Sequence, residues 1–290
     1  MGYVGKLQVG LTANKVHESF ELQVARGDIF GIEEAHVFGR NSDADIATAP
    51  EDVWTQGGDI NWPASATTQN LSSDSATDTL AGDGVRTVEV HGLDANWDRV
   101  SEIVEMDGTT PVTTTNSYIR INRIHSVTVG VDGDAAGNIY IYTGAAGGVT
   151  PGVPDNADQI WRTIPAGYNT SQTCAFSVPR NYEGFIYLFS AKVRRSTAAS
   201  WAIFEMDVRD NAGLSDDVTD QAFTVLRDLE ATNTANAQID ERFPIKVPEY
   251  ADVKVRCSLG SGDNLVVAAQ IEYLLVQKQI EVPPIETAVV

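Results

Sequence analysis

The chain has 290 residues, 42% of them hydrophobic, enough to build one large or two ordinary cores. It carries 40 Asp+Glu against 20 Lys+Arg, a formal charge of −20, and that field repels phosphate backbones and argues against general nucleic-acid binding. The two cysteines, Cys174 and Cys257, are too few for a disulfide scaffold in a chain this long, and buried free thiols are expected.

The first residues, MGYVGKLQVG, show no charged-then-apolar signal architecture, and no run approaches the roughly 18 apolar residues of a membrane span. A soluble protein made in the cytoplasm and not secreted by a standard signal is expected, with no membrane partner. Residues 1–16 read as an extended arm. Phe20–Val24 (FELQV) and Arg86–Val90 (RTVEV) alternate apolar and polar and predict strands, as do Tyr118–Ile121 and Val127–Val129. Asn138–Tyr142 (NIYIY) predicts another from its aromatic and β-branched content. In the second half strands are expected over Ser171–Val178, Gly184–Val193, Ala202–Val208, Val253–Leu259 and Leu265–Val276. Asp217–Thr232 is ambiguous: Val218, Ala222, Val225, Leu226 and Leu229 fit a helical stripe, yet FTVLRDLEAT favours a pleat, and strand is preferred.

Turn clusters separate these runs: MDGTT (106–110), VDGDAAGN (131–138), GAAGGVTPG (144–152) and LGSGDN (259–264). Many short strands at regular spacing predict an all-β fold, two jelly-roll-like β-sandwich domains, rather than a βαβ sheet. The Gly/Pro-rich stretch 144–154 is the expected boundary, giving a first sandwich over 17–150 and a second over 151–279. The end, EVPPIETAVV, reads as an extended tail over 280–290 that can clasp a neighbour.

Catalytic patterns fail one after another. There is no G-x-S-x-G elbow, no phosphate-binding GxxxxGK[ST] loop and no strand–GxGxxG–helix unit. His17, His36, His91 and His125 are dispersed, none at metal-ligand spacing with another His or Cys, so no metal is expected from them. Asp74, Asp78 and Asp83, and the pair Asp132 and Asp134, offer oxygens that Ca²⁺ would accept, but they do not follow EF-hand order, and Asp/Gly loops are ordinary turn chemistry. Five tryptophans, Trp54, Trp62, Trp97, Trp161 and Trp201, stand beside strand-like residues; packing is the favoured reading, and stacking on sugars the alternative. Neither a catalytic residue nor a cofactor is expected.

Specific runs resemble a segment recurrent in structural proteins of tailed bacteriophages, many of them marine. They are EDVW (51–54), SSDSATDT (72–79), GVRTVEVHGLD (84–94), SEIVEMDGTTPV (101–112), YIRINRI (118–124) and AGNIYIYTG (136–144). TIPAGYN (163–169), SVP (177–179) and IKVPEYADVKVRCS (245–258) extend the likeness over residues 30 to 276. The segment SAKVRRSTAASWAIFEMDVRD matches more loosely, and VDGDAAGN stands where a more Gly/Ser-rich turn is usual.

The resemblance implies a non-enzymatic virion component assembled in the host cytoplasm. The first expectation is a capsid decoration (cement) protein, a homotrimer bridging subunits of the major capsid protein or neighbouring virion proteins. The alternative is a tail, adaptor or fibre component binding a host surface glycan through aromatics such as Trp97 or Trp201. An acidic secreted glycosidase is disfavoured. On the first reading the contact residues are expected in the arm (Met1, Tyr3, Val4), the basic pair Arg194 and Arg195, and the tail (Val282, Pro283, Pro284, Ile285). Arg194-Arg195 in an acidic chain suits a carboxylate patch, though a solvated hairpin tip explains it equally well.

Overall fold

A computed structural model describes residues 18–144, 148–194, 200–211, 221–233 and 236–278. One short α-helix among these, α1 (Phe20–Ala25), precedes the strands, and a 3-10 turn spans Ala157–Gln159. This corrects the expected strand at 20–24. Five alternating residues also fit a helical turn, and the Ser19 hydroxyl caps that turn by accepting from the Leu22 N–H at 3.3 Å.

The strands then run β1 (Ile32–Ala44), β2 (Glu51–Asp52), β3 (Thr67–Ser73), β4 (Val85–Leu93) and β5 (Arg99–Glu105). They continue as β6 (Val112–Tyr118), β7 (Arg120–Val129), β8 (Ile139–Thr143), β9 (Ile160–Ile164) and β10 (Ala175–Ser177). The last are β11 (Tyr182–Arg194), β12 (Trp201–Arg209), β13 (Thr224–Thr232), β14 (Ala237–Val247), β15 (Asp252–Gly260) and β16 (Leu265–Gln277). The ambiguous segment is thus a strand from Thr224 to Thr232.

The fold is all-β sandwich. One sandwich packs the sheet β1-β16-β11-β14 against β10-β15-β12-β13, with β2 paired to β15. Alternate residues of facing strands, among them Phe176, Ile186, Phe189, Phe204, Val255 and Ile271, fill its core, as period-two side-chain direction requires. The other packs β6-β3-β8-β9 against β5-β4-β7 around Leu71, Val88, Val90, Ile124, Ile139 and Ile141.

The strand pairing overturns the expected division at residue 150. β1 pairs with β16 from Ile32↔Val276 to Ala44↔Leu265, and β2 pairs with β15, so the chain's two ends build one sandwich together. The other sandwich, β3 to β9, is an insertion between β2 and β10. The stretch expected as a linker lies within the insertion. Val149 and Pro154 bridge to each other, and the Ser72 hydroxyl donates to the Gly152 carbonyl at 2.7 Å. Gly152 has φ +74°, and a Cβ there would meet the Ser73 carbonyl oxygen at 1.7 Å. Its glycine is therefore demanded by tight packing, which composition alone does not distinguish from a flexible joint.

An ion-pair network clamps the seam between the sandwiches. Arg120 of β7 grips Asp252 of β15 through two hydrogen bonds of 2.8 Å, and both side chains are almost wholly buried. Asp252 also accepts from Arg209 at 2.8 Å, from Asn211 at 2.8 Å and from the Ser177 hydroxyl. Burial pushes the Asp252 carboxyl up, but Arg120, Arg209 and Ser177 together hold it below the usual carboxylate range. Asn122 and Ser177 exchange amide and backbone hydrogen bonds across the same seam at 3.2 and 3.0 Å.

Candidate functional site

A groove crosses the outer face of the β1-β16-β11-β14 sheet. The residues that alternate away from the core on three adjacent strands line it: Phe38 and Arg40 from β1, Ala268 and Gln270 from β16, and Ser190, Lys192 and Arg194 from β11. Gln238 of β14 flanks one side, and Tyr168 of the inserted sandwich closes the other, accepting from Arg40 Nη1 at 3.1 Å through its hydroxyl. The cavity is about 650 Å³.

Register determines the charge of the groove. Arg40 and Lys192 both pair with Ala268, so two cations flank one small residue, and Arg194 follows on the same face opposite Val266. The backbones of β1 and β11 are roughly 10 Å apart across β16, so an anion resting over Ala268 would face both side chains. No carboxylate among the described residues forms an ion pair with Arg40, Lys192 or Arg194, although acidic residues outnumber basic ones two to one over the chain. The groove can therefore receive an anionic group, and the acidic remainder of the surface directs such a group to it.

Of the residues expected at contacts, Arg194 lies at the end of β11 and lines this groove. Met1, Tyr3, Val4, Arg195, Val282, Pro283, Pro284 and Ile285 lie outside the described residues. Arg40 and Lys192 were missed. Their sequence neighbours carry no signal, and only the pairing of both strands to β16 unites them.

The acidic loops have a different use. Asp78 is wholly buried, and its carboxylate accepts from the backbone N–H groups of Val85, Ala136 and Gly137 at 2.7, 3.0 and 2.9 Å and from the Ser73 hydroxyl at 2.6 Å. Asp74 accepts from the Asn138 backbone and side chain, both at 2.8 Å. These oxygens organise loops and have few lone pairs left for a cation.

The tryptophans divide clearly. Trp54, Trp97 and Trp161 are buried, and Trp201 is 36% exposed. Trp97 packs edge-on against Tyr250 at 5.6 Å with the Arg120 guanidinium 4.8 Å from its ring centre, which removes it as a platform for a sugar. Cys174 and Cys257 are buried free thiols, and burial pushes both up, Cys257 to about 12, so neither is a nucleophile at neutral pH.

No protein-family model matches the chain, and no curated protein does. Among solved structures, a mutant VP2 protein of infectious bursal disease virus in derived T=1 particles aligns over 85% of this chain and 73% of its own at 6% identity, with a TM-score of 0.17. A second structure of T=1 particles derived from the same virus aligns over 86% and 74% at 7% identity, with a TM-score of 0.15. Scores of this size carry no argument about fold or function.

Proposed function

We propose that this protein is a structural component of a tailed-phage virion, a capsid decoration (cement) protein that stabilises the head by bridging capsid subunits. The observation that carries the reading is the groove of Arg40, Lys192 and Arg194, a local reversal of sign on a chain of net charge −20. A strongly acidic subunit stays soluble and apart from its copies before assembly and then needs a defined place to engage an acidic neighbour. The strand-and-turn resemblance over residues 30 to 276 supplies the class of particle. A homotrimer in the assembled virion, contacting the major capsid protein and neither nucleic acid nor membrane, completes the proposal. No catalytic step is part of it.

Labelling purified virions with an antibody against this chain tests it. Label distributed over the head is expected. Label confined to the tail supports the adaptor or fibre reading, with Trp201 as the exposed tryptophan for a host glycan, and contradicts decoration. Heads stripped of the protein should lose resistance to heat and low salt; unchanged resistance contradicts the cement role.

A further inference from the structure

The outer face of the β5-β4-β7 sheet gathers two side chains of β4 and one of β7 that is more than thirty residues away in the sequence. Glu89 and His91 alternate on β4 and so project from the same face. His125 lies directly opposite Glu89 in the antiparallel β4–β7 ladder, while His91 faces Arg123. Two neighbours on one strand and one residue across from them make a triangle, which is how a sheet face can present three ligands to one ion.

The distances fit that use. His91 Nε2 is 3.5 Å from Glu89 Oε2, and His125 Nε2 is 3.6 Å from the same oxygen. Ligand atoms of all three residues lie within 4.8 Å of one another. Ligands bound at 2.0–2.2 Å in a tetrahedron are separated by roughly 3.3 Å, so two edges of the triangle are nearly at length. The imidazoles stack at 5.2 Å with their planes 9° apart, and a rotation of one ring closes the third edge.

The surroundings favour the ligand forms. Arg123, the one cation on the adjoining corner, is drawn aside by donating from Nε to the Thr170 hydroxyl at 3.0 Å. From β5 the facing residues are Ser101 and Ile103, neither charged. Nδ1 of His125 is buried without a hydrogen-bond partner, so nothing on that side commits the ring to its present orientation. Burial, with His91 and Arg123 nearby, lowers the His125 pKa from its ordinary value. The three side chains are 41%, 26% and 30% exposed for His91, Glu89 and His125, which leaves one side open to solvent.

We propose that Glu89, His91 and His125 form a three-ligand site for a divalent first-row transition metal, with Zn²⁺ the ion that suits two imidazoles and a carboxylate, and that its fourth position opens to solvent. Metal held there would cross-link β4 to β7. The sequence expectation of no metal rested on spacing along the chain, and antiparallel pairing is what brings these residues together.

The test uses the full, untagged chain after EDTA treatment. Zn²⁺ titrated by calorimetry should bind at this site, and Co²⁺ should give the visible absorption of a tetrahedral complex. H91A and H125A should each weaken Zn²⁺ binding by about tenfold or more and abolish the Co²⁺ bands, whereas H36A should leave both unchanged. Circular dichroism confirms that each variant folds. Nitrogen NMR of the imidazoles needs no variant, and Zn²⁺ should shift two of the four histidine signals. Wild-type protein that binds no Zn²⁺, or binding undiminished in H91A/H125A, overturns the proposal.

Discussion

Replacing Asp252 by Asn removes the single anion that the seam network converges on. The substitution keeps the size of the side chain, so the change is one of charge. Arg120 and Arg209, whose side chains are 1% and 5% exposed, then both lose the Asp252 carboxylate they grip. Removing one partner of a buried, hydrogen-bonded ion pair costs about 3–5 kcal/mol, and here two arginines depend on the same partner. The upper half of that range is expected. For a chain of this size each kcal/mol lowers the melting temperature by roughly 2–4 °C, so a fall on the order of 10 °C should be seen by calorimetry. The partner test is Arg120→Met combined with Asp252→Asn. Because the residues touch, the double variant should cost less than the sum of the single ones by about 1–3 kcal/mol. A D252N protein within about 1 kcal/mol of wild type by denaturant unfolding, or strict additivity of the pair, would refute the claim that this network holds the sandwiches together.

Two further outcomes follow from the buried carboxylates. Asp78→Ala should free the amides of Val85, Ala136 and Gly137, which Asp78 now accepts from, and cost about 3–5 kcal/mol. Hydrogen exchange should accelerate at those three amides first, and unchanged exchange would contradict the scaffolding role. Asp52 behaves oppositely to Asp252: burial raises it to about 6, outweighing Lys254, whose Nζ lies 2.8 Å away. Its folded pKa exceeds the unfolded value near 3.9, so the folded state holds the extra proton between those two values. Stability from this group is greatest below about pH 4 and declines by roughly 3 kcal/mol as pH rises through 6. D52N should therefore gain on wild type by about that amount between pH 4 and pH 7 in urea midpoints, and a difference that is flat with pH would count against it.

The strands richest in apolar and β-branched residues were legible. NIYIY became β8, and the expected runs at 184–193, 202–208, 253–259 and 265–276 all lie within β11, β12, β15 and β16. β3 (TTQNLSS) and β6 (VTTTNSY) were not, because their inward positions include polar groups paired by hydrogen bonds. Gln69 is an example: it is buried, and its Oε1 accepts from Trp161 Nε1 at 2.8 Å, a contact that no local pattern announces. The insertion was equally hidden, since joining β1 to β16 depends on partners at opposite ends of the chain.

Sites suffered more than strands from this. Arg194 was visible as a basic residue in an acidic chain, but Arg40 and Lys192 meet it only through their shared neighbour β16. Asp252 draws in Arg120 and Arg209, and Asp52 pairs with Lys254, in both cases from positions with no common spacing. The Glu89, His91 and His125 triangle had two of its members in plain view on one strand and the third on another. In each case the side-chain types were legible, and the ladder register that unites them was not.

The most direct test of the central claim is rebinding to heads from which the protein has been stripped. Wild-type protein should reoccupy them, and added salt should weaken binding, as screened charge pairs require. The variant R40E/K192E/R194E, folded to the same thermal stability, should fail to bind. A variant that binds as tightly as wild type, or wild-type protein that does not return to the head, would contradict the account.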